Sequence, residues 1–149
     1  MAVLRDLPYS GCHFLVDIGT GNTEGVTAGF SEVVLPAAGL DVIQYRTGNG
    51  KEGRTTITGL EQYGNLILRR GVCGSLDLYQ WWNDIRNGNV KSLRTVTVQL
   101  LSEDRSQVVL MWKFLRARPV ALHYAPLVAG GSAVAIESVE IAFDRLEME

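Results

Sequence analysis

The sequence predicts a single mainly β domain, a β-barrel or sandwich with one short α-helix at about residues 75–87. Three observations carry that expectation. Short apolar runs alternate with polar residues at the two-residue period of a pleated strand. Turn-forming clusters separate these runs at intervals of roughly 8–12 residues, the spacing of sandwiches and barrels. One stretch alone changes to helical spacing. The length of 149 residues suits one domain, spanning 1–149, with a buried core of its own.

The elements follow in order. "CHFLVDI" places Phe14, Val16 and Ile18 on one face. After the turn "GTGN" comes a second strand, "GVTAGFSEVV", and then "GLDVIQYRT", which runs into a glycine loop. "RTTITGL" and "NLILRR" are rich in β-branched residues and read as strands. Ser75 is a good N-cap for "LDLYQWWNDIRNG", and Gly88 a good stop. Within that helix Leu78, Trp82 and Ile85 form an apolar stripe that Tyr79 extends. Trp81 then points elsewhere, toward a second surface such as a subunit contact. "LRTVTVQLL" and "VVLMWKFL", joined by the polar turn "SEDRSQ", read as a hairpin, with Val96, Val98 and Leu100 alternating with Thr95, Thr97 and Gln99. "RARPVALHYAPLVAGG" reads as a connector broken by Pro119 and Pro126. "AVAIESVEIAFDRLE" closes the chain as one more alternating strand through Val139, Ile141 and Phe143, about eight in all.

Charge and composition exclude several functions. A net charge of −2, from 14 basic and 16 acidic residues, does not mark a nucleic-acid binder. Arg69-Arg70 and Arg116 with Arg118 are small clusters, read as solvated or interface arginines. No apolar run approaches the roughly 20 residues of a membrane helix. "MAVLRDLP" lacks the apolar centre of a signal peptide, so the protein is expected to be made in the cytosol without membrane anchoring. Cys12 and Cys73 are expected to be reduced and buried.

Gly48-Asn49-Gly50-Lys51-Glu52-Gly53 spells G-x-G-x-x-G, the dinucleotide fingerprint. The cradle works only if a helix starts at the third glycine and aims its amides at the phosphates. "RTTITG" follows instead, and it is a poor helix and a good strand. The position about 20 residues further on, where an acid should hold the ribose, is Cys73. A phosphate loop of the Walker type fails too, since Tyr45 replaces its first glycine and Glu52 its hydroxyl residue. Cys12, His13, Cys73 and His123 show no zinc-ligand spacing. Glu137 and Glu140 fall on opposite faces of one strand, a poor acid–base pair. The residues therefore point to no cofactor, no metal and no catalytic group.

The order of the motifs resembles the tail-tube protein family of contractile phages and contractile injection systems, from about Pro8 to Glu147. "AGFSEV" is the most specific phrase, set between Phe14-Leu15-Val16-Asp17-Ile18 and "VIQYRTGNG". "TGLEQYGNLILRRGV", "LYQWWNDIRNGNV", "VVLMWKFLRARPV" and "VAIESVEIAFDRLE" follow in the family's order. "VVLPAAGLDV" and "GGSAVAIE" depart from its usual turn and its Asn before the last strand.

The resemblance implies a structural inner-tube subunit, not an enzyme. Such subunits form hexameric rings that stack into a hollow tube, driven through a target envelope when the surrounding sheath contracts. The implied partners are further copies of the chain, the sheath protein, baseplate, terminator and tape-measure proteins, and a cargo of effector protein or DNA. Assembly in a bacterial cytoplasm is implied, followed by residence in a phage tail or injection particle. Thr47, Gly48, Asn49, Gly50, Lys51, Glu52, Gly53 and Arg54 are the candidate ring or stacking contact. Trp81, Trp82, Trp112 and Phe114 are candidate core or interface aromatics. Thr95, Thr97 and Gln99, and likewise Arg54, Thr56 and Thr58, suit a wet lumen or a subunit contact. The alternatives are a tube-initiating paralogue at the baseplate, a monomeric ligand-binding β-barrel with one enclosed apolar pocket, and an enzyme using nucleotide or metal.

Overall fold

The computed structural model describes residues 2–21, 29–46, 48 and 53–149. Its strands are β1 (Phe14–Asp17), β2 (Glu32–Val34), β3 (Ala38–Tyr45), β4 (Thr55–Tyr63), β5 (Leu66–Gly71), β6 (Arg94–Leu101), β7 (Val108–Tyr124), β8 (Ile136–Ala142) and β9 (Arg145–Met148). The helix α1 (Asp77–Arg86) lies between β5 and β6, followed by a 3-10 turn at Val90–Ser92. The expected second strand is observed as the short β2; residues 25–28 of it lie outside the described part.

The 17-residue β7 is the spine. One layer has the order β1-β6-β7, with β9 on the other edge of β7. The other layer has the order β7-β8-β5-β2, and all pairings are antiparallel. β7 pairs with β6 as far as Ala117 and with β8 from Arg118 onward. The expected break at Pro119 is therefore not found. Pro119 sits inside β7 opposite Ile141, beside a register shift before Ala121. A bulge is one of the few places in a sheet that tolerate the missing N–H of proline. Arg116, at φ 54°, turns the strand just upstream. Before Pro126 the strand does end, at Tyr124.

The expected closing strand is two strands. The chain bends at Phe143–Asp144, where the Asp144 N–H donates to the Leu115 carbonyl at 3.0 Å, and β9 returns along β7. Among the described residues the sheet does not close into a barrel: β1 and β2 end it and do not pair with each other. The result is a sandwich whose layers share a bent strand.

Alternation fills the core. Val16 and Ile18, Leu66 and Leu68, Val96 and Val98, Phe114 and Ala117, and Val139 and Ile141 point between the layers, and Leu78 and Trp81 of α1 cover one side. Burying a side chain of this size stabilises the fold by about 1.5–3 kcal/mol. The helix departs from expectation in phase. Its buried stripe is Leu78 and Trp81, with Ile85 packed behind them, while Tyr79 is exposed. Helical spacing admits Trp81 as readily as Trp82, because i+3 and i+4 share a face. The environment decides: Trp81 donates its Nε1–H to the Ser92 carbonyl at 2.7 Å, and the Arg94 guanidinium lies 4.8 Å from its ring. The helix starts at Asp77 with Leu76 at the cap, not at Ser75. Gly88, at φ 82°, stops it as expected.

Cys12 and Cys73 are exposed and not disulfide-bonded, against the expectation of burial. Both lie in turns outside the strands, Cys12 before β1 and Cys73 between β5 and α1.

Candidate assembly surfaces

β3 and β4 form a two-stranded sheet separate from the sandwich. Tyr45 faces Thr55 at its outer end, so the glycine loop joins two strands, and no helix N-terminus follows Gly53. Gly48, Gly53 and Arg54 of the candidate loop are exposed; Thr47, Asn49, Gly50, Lys51 and Glu52 lie outside the described residues. Arg54 Nη1 donates to Gln44 Oε1 across the pair at 2.7 Å. Directly opposed residues share a face, so the two sides of the hairpin differ. Val42–Thr58 and Gln44–Thr56 make one mostly polar side, and Ile43–Ile57 and Tyr45–Thr55 make the other, largely apolar. Val42, Ile43, Tyr45 and Ile57 are all about half exposed or more. A two-stranded sheet with both sides in water is marginal by itself. Its anchor is at the root, where Tyr63 packs against Phe143 at 5.1 Å.

The four candidate aromatics separate. Phe114 is fully buried and meets Phe143 edge-on at 4.8 Å, and Trp81 is fully buried as described. Trp82 is half-buried, 6.3 Å from Tyr79 and under the Arg86 guanidinium at 4.6 Å. Trp112 is half-buried and lines an apolar notch of about 190 Å³ with Phe14, Val33, Leu35, Val98 and Leu100, between the edge strands β1 and β2.

The expectation of solvated or interface arginines fails for Arg70, which lies in the core. Arg69 points outward and pairs with Glu32 at 2.8 Å. Arg70 is in phase with Leu66 and Leu68, so it points into the core, with its side chain 1 % exposed. Opposite it on β8, Glu137 is in phase with Val139 and Ile141 and accepts from Arg70 Nε at 2.6 Å. Asp77, in the first turn of α1, accepts from the other end of the guanidinium. Burial works to lower the Arg70 pKa, but the hydrogen bonds and charges of Asp77 and Glu137 outweigh it and raise the pKa above the usual arginine value. Burial likewise works to raise the Asp77 pKa, and the bonds from Arg70 and Ser75 reverse this and lower it. This cluster ties β5, β8 and α1 together. Strand phase alone could have shown that Arg70 and Glu137 point inward.

The outward side of the first layer mixes Leu15, Met111 and Leu115 with a polar row. Asp17, Thr97, Lys113 and Glu147 are neighbours across β1, β6, β7 and β9. Asp17 turns its Oδ1 to the N–H groups of Gly19, Thr20 and Gly21 at 2.9–3.0 Å, which fixes the turn after β1. Among the described residues, no group of three or more His, Cys, Asp or Glu side chains could hold a metal ion, and no helix is long and apolar enough to cross a membrane.

Comparison with solved structures gives the same architecture. A chain of the extracellular contractile injection system PVC, in its extended sheath–tube complex, superposes with a TM-score of 0.82 at 25 % identity, over 95 % of this chain and 91 % of that one. A chain of the PVC sheath/tube terminator in the extended state matches with a TM-score of 0.83 at 25 % identity, over 97 % and 98 %. A chain of the six-fold symmetrised baseplate of the anti-feeding prophage has a TM-score of 0.79 at 24 % identity, over 97 % of both chains. No curated protein matches the sequence. The family model for the T4-like virus tail tube protein gp19 matches residues 10–147, from the turn before β1 to β9, and the chain belongs to that tail-tube family.

Proposed function

We propose that this tail-tube protein is a non-catalytic subunit whose copies form hexameric rings, and that the rings stack into a hollow tube inside a contractile sheath. The observation that carries this is the β3–β4 hairpin, which stands apart from the sandwich with apolar side chains exposed on both strands. Exposed apolar area of this kind marks a protein contact. Ring contacts are heterologous and close by rotation; stacking contacts are heterologous and stay open along the axis. The unpaired edges of β1 and β2 suit pairing with neighbouring subunits. Residues 47–54, at the hairpin tip, would contact the adjacent ring or subunit. The polar row on the outward side of the first layer would face a wet lumen or a subunit contact.

By similarity, the partners are a sheath, a baseplate and a terminator, the assemblies in which the related chains were solved. The cargo would be an effector protein or DNA, with a tape-measure protein inside the growing tube. Assembly would occur in the bacterial cytoplasm. Negative-stain electron microscopy of concentrated protein tests the reading: six-fold rings or hollow tubes are the expected result. Deleting residues 48–53 should leave subunits folded but unable to stack, and unchanged tubes would overturn the assignment of the loop.

A further inference from the structure

We propose that copies of this chain join by seating the root of one β3–β4 hairpin in an arginine-walled cleft at the end of α1 on the next copy. The proposal rests on the tube-subunit reading and adds to it the surface that receives the hairpin.

The cleft has a volume of about 410 Å³ and lies between the end of α1, the 3-10 turn and the bend of β7. Ile85, Val90 and Leu93 make its apolar part, and Arg116 and Arg118 its charged wall. Val90 is 79 % exposed, so the apolar part is uncovered in the single chain. Both guanidiniums share one carboxylate, Asp144, at 2.7 and 3.5 Å, which leaves the wall with surplus positive charge. Arg86 and Lys91, on the same stretch of chain, have no carboxylate partner among the described residues. Arg116 is also held at φ 54°, a conformation that residues other than glycine rarely adopt, and its side chain is 68 % exposed.

The hairpin root has the complementary chemistry. A register shift between Leu40 and Val42 leaves Asp41 without a partner residue on β4. Gly59 makes room for it, since a Cβ there would lie 2.9 Å from that of Asp41. Glu61 is opposite Leu40 and accepts a hydrogen bond from the Tyr63 hydroxyl at 2.9 Å. Neither Asp41 nor Glu61 has a cationic partner among the described residues. Leu60, 79 % exposed, lies on the Asp41 side of the hairpin, and Leu40, 57 % exposed, shares the other side with Glu61. One chain thus carries an apolar knob edged by unneutralised carboxylates and an apolar cleft edged by surplus arginines. A leucine seated in the cleft covers Val90 and Ile85 while the carboxylate on its side of the root meets Arg116 and Arg118; a polyphosphate would satisfy only the arginines. A knob and a seat on different surfaces make a heterologous contact, which is what rings and stacks require. Opposed charges of this kind set register and choose the partner.

The test uses two charge-reversed proteins, Arg116→Glu/Arg118→Glu and Asp41→Lys/Glu61→Lys, each checked for folding by circular dichroism. Self-association is followed by sedimentation and electron microscopy. Each variant alone should associate about 10-fold or more weakly than wild type. An equimolar mixture should regain association, because each seat then meets an opposite knob. The proposal is overturned if wild type assembles and both variants assemble equally well, or if two folded variants fail to recover on mixing. It is also overturned if wild type binds a DNA oligonucleotide that Arg116→Glu/Arg118→Glu does not, with self-association unchanged. Wild-type protein that stays monomeric at every concentration overturns the tube-subunit reading itself.

Discussion

Arg70 is the residue whose surroundings matter most to stability. Its charge is buried and satisfied at both ends by Glu137 and Asp77, so removing either end strands the rest. Arg70→Ala should cost about 3–5 kcal/mol in urea unfolding. Arg69→Ala, one position along and outside, should cost less than about 1 kcal/mol. The two tryptophans of α1 make a similar pair. Trp81→Ala should cost about 3–5 kcal/mol, as for other buried tryptophans. Trp82→Ala, on the half-exposed side, should cost clearly less in the same assay. Asp104 supplies a pH test. Hydrogen bonds from the Ser102 and Ser106 hydroxyls and the Ser106 N–H hold its pKa down to about 2, below the usual carboxylate value. A carboxyl whose folded pKa is depressed contributes stability above its unfolded pKa, near 4, and loses it as pH falls toward the folded value. Asp104→Asn should therefore flatten the loss of stability between about pH 4 and pH 2, measured as urea midpoints against pH.

Among the elements, β7 and the β3–β4 hairpin differ most in what the residues alone announce. The hairpin was readable because β-branched residues flank glycines on both sides, and Thr55 does open a strand. The helix was readable as an element, though its phase was not, since Leu78, Trp81, Trp82 and Ile85 all satisfy helical spacing. β7 was misread because Pro119 is a strong local breaker. Only the bulge beside it and the change of partner from β6 to β8 make proline acceptable there. Likewise Arg70 looked like half of a surface pair, when its phase with Leu66 and Leu68 put it inside. The apolar side of the hairpin carries a further prediction. Ile43→Thr with Ile57→Thr removes apolar groups from residues 54 % and 46 % exposed, so the thermal midpoint should stay close to wild type. Assembly into tubes, followed by light scattering and microscopy, should weaken; tubes formed at the wild-type concentration would remove this side from the contact.

At the scale of the whole molecule, the sandwich is a complete core with incomplete surfaces. Its layers bury their own alternating faces, while β1, β2 and the hairpin remain open. That division suits a subunit that folds first and assembles afterward. The sequence by itself determined the class of the fold, the family, the one helix and the strands on either side of the glycine loop. All of these depend on local periodicity and turn chemistry, which act within a few residues. The tertiary structure decided that the sheet stays open, which tryptophan is buried, that Pro119 lies within a strand, and that Arg70, Asp77 and Glu137 meet. It also decided that Asp41 and Glu61 stand unneutralised on the hairpin while Arg116 and Arg118 share a single carboxylate. Those outcomes depend on which distant segments come into contact, and charge balance and burial exist only once they do.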